Sequence, residues 1–100
     1  MVDLPIACSL TGSSFEARIA EIAQLMRDGL RGFERRDLIL DLRFAPEVSS
    51  RVREMTQKEQ ACCGFLDFSI HESPDEIRLT ITAPERARDV ADALFDQFLP

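Results

Sequence analysis

Chemistry concentrates in one short stretch of this sequence, Glu59-Gln60-Ala61-Cys62-Cys63-Gly64-Phe65. Two adjacent thiols follow a carboxylate by three and four positions. A third cysteine, Cys8, lies far upstream, and the chain has one histidine, His71, and no tryptophan or tyrosine. Three chemistries are open to such a set. A cysteine can act as a nucleophile, two can form a redox pair, or several can hold a soft ion.

The position of the pair weighs on each. Val48, Val52, Met55, Glu59 and Cys62 recur at helical spacing, in a segment that Pro46 suits as a first residue and Gly64 as a C-cap. Cys62 and Cys63 then occupy the last turn, at the negative end of the helix dipole. Glu59, one turn back, adds negative charge, and Arg53 and Lys58 project elsewhere. A nucleophilic thiolate is disfavoured there, because thiolates are favoured at helix N-termini or beside cations. Neighbouring helix residues project about 100° apart, which does not match the geometry of a disulfide. Metal binding escapes part of this difficulty, since a bound cation deprotonates a coordinating thiol. Soft thiolates suit Cu(I), Zn²⁺ and heavier ions. The candidate ligand set is Cys8, Cys62 and Cys63, with Glu59 or His71 completing it, although the spacing lacks the C-x₂₋₄-C pair of structural zinc sites.

The competing reading is packing. Free cysteine behaves as a small buried hydrophobe. Cys62 continues an apolar stripe, and Cys8 sits in the apolar run "PIACSL". Cys63 leaves the stripe by one position. Glu59 is an acid on an apolar face and needs a partner if buried. A pure packing account places both at the rim of the core. It makes His71, beside Glu72 at a strand end, an exposed residue.

The elements that must position these residues follow from periodicity. "PIACSL" predicts a strand over 5–10. Ser13 and Glu16 have capping-box spacing, and Phe15, Ile19, Ile22, Ala23, Met26 and Leu30 form one helical face that Gly29 and Gly32 terminate. Leu38, Leu40, Leu42 and Phe44 alternate with Ile39, Asp41 and Arg43, the period of a half-buried strand. "GFERR", 32–36, suggests a separate strand turning near Arg36-Asp37. Leu66, Phe68 and Ile70 face Ile77, Leu79 and Ile81 across a turn at Ser73-Pro74-Asp75. Pro84 opens a last helix whose apolar side carries Ala87, Val90, Ala91, Leu94, Phe95 and Phe98. The fold class is therefore α+β, a single domain over 1–100. It is a two-layer sandwich of three helices on an antiparallel or mixed sheet of four to five strands. If 32–36 is a strand, the first six elements follow the ferredoxin-like βαββαβ order with an added strand and helix.

Bulk properties narrow the function. Net charge is −6 with 30% charged residues, and Arg31, Arg35 and Arg36 are interrupted by Glu34 and Asp37. That pattern argues against a nucleic-acid surface. No apolar run has the length of a membrane span and the N-terminus lacks a secretory pattern, so a cytoplasmic protein with reduced thiols is expected.

The segments "IACSL", "EQACCGFLDFSI" and "LTITAPE" together resemble a group of small bacterial proteins of unassigned function. That group has a Glu-x-x-Cys-Cys-x-Phe-Leu-x-Phe core, and similar segments occur near or fused to mercury-type metal-responsive regulators. The match falls at Cys8, Glu59, Cys62, Cys63, Phe65 and Phe68. Gly64 stands where proline is common in the group, which leaves the cap less rigid. The resemblance implies a heavy-metal or metalloid context. The sequence thus favours a non-enzymatic thiol protein for zinc, mercury or arsenite, with Cys8, Cys62, Cys63 and Glu59 as the site. Its partner beyond the ion would be itself or a regulator protein. The alternatives are an interaction module with packing cysteines and, less well supported, an enzyme with Cys63 as nucleophile.

Overall fold

The computed structural model describes the backbone of residues 12–62 and 64–99, and the side chains of that range from residue 17 onward except Cys62. The strand expected over 5–10 lies outside the described residues.

Helix α1 spans Gly12–Gly29 and passes directly into strand β1, Leu30–Arg36. The helix begins one residue before the expected capping-box serine, and Leu30, read as helical from its spacing, is the first strand residue. The close approach at the junction explains Gly29. A Cβ there would stand 2.6 Å from Val48 Cγ2, while the Ala45 N–H donates to the Gly29 carbonyl at 2.9 Å. Strand β1 is the separate strand suggested by "GFERR". It turns at Asp37, whose φ of 52° is a left-handed conformation that Asp tolerates better than most residues. Arg88 donates to both Asp37 carboxylate oxygens, at 2.6 and 3.3 Å, and holds that carboxyl below its ordinary range.

Strand β2, Ile39–Phe44, leads through a short 3₁₀ turn at Pro46–Val48 into helix α2, Ser49–Cys62. The expected hairpin of β3, Asp67–Glu72, and β4, Ile77–Thr82, follows, with Phe68 opposite Ile81 and Ile70 opposite Leu79. Its turn is closed by the Ser73 N–H donating to the Glu76 carbonyl. The last helical segment is not one regular helix. It is 3₁₀ over Glu85–Val90 and then α3, Ala91–Asp96.

The four strands form one antiparallel sheet in the order β1-β2-β4-β3. Leu40, Leu42 and Phe44 of β2 and Ile77, Leu79 and Ile81 of β4 point to one face and are at most 2% exposed. Ile22, Leu25, Met26, Val52, Met55, Leu94, Phe95 and Phe98 cover that face and complete a single core. This is the expected two-layer α+β sandwich. Its strand order is not the ferredoxin-like one. A split βαβ arrangement would set the strand ahead of α1 against β2, but β2 is already flanked by β1 and β4. The hairpin accounts for the difference. Its second strand is fully buried on the helix face while β3 is only half-buried, so β4 takes the inner position and β3 the edge.

Arg31, Arg35 and Arg36 are engaged within the molecule. Arg31 donates to the Asp75 carbonyl, Arg35 pairs with Asp92 and lies 4.6 Å over the Phe95 ring, and Arg36 pairs with Asp41. Among the described residues no helix is long and apolar enough to cross a membrane.

Candidate functional site

Helices α1 and α2 run antiparallel, as three cross-pairs show: Asp28 with Arg51, Glu21 with Lys58, and Arg18 with Glu59. The first two are solvated pairs at the rim. The third is buried. Arg18 is 5% and Glu59 0% exposed, and Arg18 Nε stands 2.8 Å from Glu59 Oε2. Glu59 is thus inside the core rather than at its rim, which corrects the packing account. The partner that a buried acid requires is Arg18.

Arg18 was not among the residues that sequence reasoning picked out, although a signal for it exists. It falls three positions after Phe15 and four before Ile22, so it stands on the apolar stripe of α1 as Glu59 stands on that of α2. Opposite charges on the apolar faces of two neighbouring helices are the pattern of a buried pair. Periodicity scored by apolar residues alone passes over both.

The contact is a charge pair without good hydrogen-bond alignment. Neither Glu59 oxygen finds a donor in hydrogen-bonding geometry among the described residues. Burial pushes the Glu59 pKa up, and the Arg18 charge offsets part of that rise. The pair lines a cleft of about 220 Å³ between the two helices, walled by Ile22, Leu25 and Met55. Its charged lining is balanced: Arg18, Arg51 and Lys58 against Glu21, Glu54 and Glu59.

Cys62 ends α2, three residues after Glu59, so its backbone is one turn from the buried pair. Its side chain, Cys63 and Cys8 lie outside the described residues. The chain beyond them is fixed by Gln60, whose Nε2 donates to the Leu66 carbonyl at 2.9 Å. Gly64 does not have the left-handed φ of a C-cap glycine, and among the described residues a Cβ there would meet only the Gln60 carbonyl, at 3.8 Å. His71 is on the opposite side of the sheet from Glu59. It pairs in register with Arg78 and shares a sheet face with Asp67 and Ser69, away from the helices, because Phe68 and Ile70 face the core. It is exposed, as the packing account expected. Among the described residues no group of three His, Cys, Asp or Glu side chains is placed to hold a metal ion.

No family model, no curated protein sequence and no solved structure matches the chain.

Proposed function

We propose that the C-terminal end of α2 is a thiol site for a soft metal or metalloid ion, with Cys62, Cys63 and Cys8 as ligands. Glu59 is the buried carboxylate that completes its polar surroundings. The observation that carries this reading is the burial of Glu59 with Arg18, one turn before Cys62 on α2. Taking two charges out of water costs several kcal/mol per ion, and well-packed apolar residues often serve stability as well or better. A core that keeps such a pair one turn before Cys62 has a use for it.

The pair also changes the electrostatics of the helix end. Glu59 taken alone opposes a thiolate. With Arg18 at 2.8 Å the Glu59 charge is offset in part, and what acts on the helix end is the weaker field of a charge pair. The helix dipole remains as the main term against a free thiolate, and ion binding overcomes it by removing the thiol protons. The likeness of the double-cysteine segment to proteins near mercury-type regulators supports the same reading.

The test is a titration of the reduced protein with Zn²⁺, Hg²⁺ or arsenite while free thiols are counted. Protection of the thiols by at least one ion, weakened in Cys63→Ser, is the expected result. If no ion protects them, or if Cys63→Ser binds as well as wild type, the reading fails.

A further inference from the structure

The geometry points to a second site, on the sheet face away from the helices. There a line of basic side chains, Arg43, Arg78 and His71, binds a compact phosphate-class oxyanion such as inorganic phosphate or pyrophosphate. It does not depend on the thiol site proposed above.

Side chains alternate along a strand. Leu42, Phe44, Ile77 and Leu79 are buried against the helices, so Arg43 and Arg78 project from the open face, as His71 does. Arg43 stands directly opposite Arg78, and Arg78 directly opposite His71. Three exposed basic side chains thus form one line across three strands, about 10 Å long at the usual strand spacing. Like charges directly opposite each other destabilise a sheet. The chain has 18 acidic residues, yet none stands in this line, whose fourth place, on β1, is Gly32. A Cβ there would collide with the Arg43 guanidinium. That guanidinium therefore lies over Gly32, on the side of β2 away from Arg78, and the two arginines are splayed apart.

The charges of this line are poorly matched within the molecule. Arg43 has no ion pair or hydrogen bond among the described residues. Arg78 has one carboxylate, Glu76, at 3.5 Å. Arg31, at the same end of the sheet, donates to the Asp75 carbonyl and has no ion pair among the described residues. An oxyanion with two or more charges answers this arrangement. Seated between Arg43 and Arg78, it turns a repulsion into a shared attraction. A guanidinium fork matches two phosphate oxygens, and an imidazole N–H of His71 donates to a third. The neighbouring line limits the size of the ligand. It carries Glu34 opposite Asp41, then Thr80 and Ser69, and its two carboxylates repel a phosphate chain that extends past the first line. A compact anion stays clear of them.

His71 is the chain's one histidine, so its ring protons are a unique NMR reporter inside the site. The experiment titrates the reduced full chain with inorganic phosphate, and separately with pyrophosphate, at fixed pH and with ionic strength held constant by sodium chloride. A saturable shift of the His71 ring signals is expected with both anions, at lower concentration for pyrophosphate, which carries more charge. Arg43→Gln and Arg78→Gln should each weaken pyrophosphate binding by about tenfold or more, the loss of one charge-assisted partner. Both residues are exposed, so the fold survives either change. Arg86→Gln removes the same charge from an exposed position in the 3₁₀ segment Glu85–Val90 and should leave binding unchanged. His71 shifts no larger than sodium chloride alone produces overturn the inference. So does pyrophosphate binding to Arg43→Gln or Arg78→Gln that is as tight as to Arg86→Gln.

Discussion

Replacing Arg18 with methionine removes one partner of the buried pair and keeps most of the side-chain volume. Glu59 is then a carboxylate with 0% exposure and no compensating charge. Breaking a buried pair in this way costs about 3–5 kcal/mol, a large share of the about 5–15 kcal/mol that holds an ordinary domain together. The double variant Arg18→Met/Glu59→Leu removes both charges and should recover part of that loss, since apolar replacement of a buried pair is often neutral or stabilising, while the Arg18 contact with Gln97 at 3.4 Å stays lost. The pH dependence has a definite sign. Burial raises the Glu59 pKa above its ordinary 4.5 and Arg18 opposes the rise. The folded chain therefore holds the Glu59 proton more tightly than the unfolded chain. Stability falls as pH rises from 4.5 to the raised folded value, and is flat above it. Without Arg18 the folded value climbs further and the window widens upward. The deficit of Arg18→Met relative to wild type should thus grow with pH, by at most about 1.4 kcal/mol per pH unit. Urea unfolding followed by far-ultraviolet circular dichroism suits a chain with no Trp or Tyr. A deficit under about 1 kcal/mol near neutral pH, or one that does not grow as pH rises above 4.5, would refute the assignment of a buried charge pair.

Two glycines should respond in opposite ways to alanine. Gly29→Ala drives a Cβ into Val48 at 2.6 Å and should cost about 1–3 kcal/mol in urea unfolding. Gly64→Ala meets nothing closer than 3.8 Å and should be neutral or stabilising by about 0.4–1 kcal/mol, through lost freedom of the unfolded chain. On the open sheet face, the Thr80 hydroxyl donates to Asp41 at 2.6 Å. That bond is the largest cause of the lowered Asp41 pKa, ahead of Arg36. Thr80→Val should therefore raise the Asp41 pKa toward 3.8 in a carboxyl carbon NMR titration. Because the folded value is depressed, the stability lost in Thr80→Val should be seen above 3.8 and vanish as pH falls through that folded value.

The sequence by itself determined the elements and the face each one buries. Alternation at 38–44, 66–70 and 77–81, and helical spacing in 15–26, 48–62 and 87–98, are local consequences of a chain that must hide one side of each element. The two-layer class follows from them. Pairing order does not, because alternation says which face is buried and not which strand lies beside which. Only the structure placed β4 between β2 and β3, where its more completely buried side chains belong. The same limit applied to the candidate site. Glu59 stood out in the sequence as an acid on an apolar stripe. Whether it sat at a rim or in the interior depended on an oppositely charged residue 41 positions away, brought to 2.8 Å by the antiparallel packing of α1 on α2. His71 is separated from Glu59 for a related reason: the register of β3 on β4 fixes it on the face away from the helices. Residue types and local spacing announced a helix end with two thiols and an awkward acid. The long-range contact with Arg18 turned that acid into a buried, charge-balanced group.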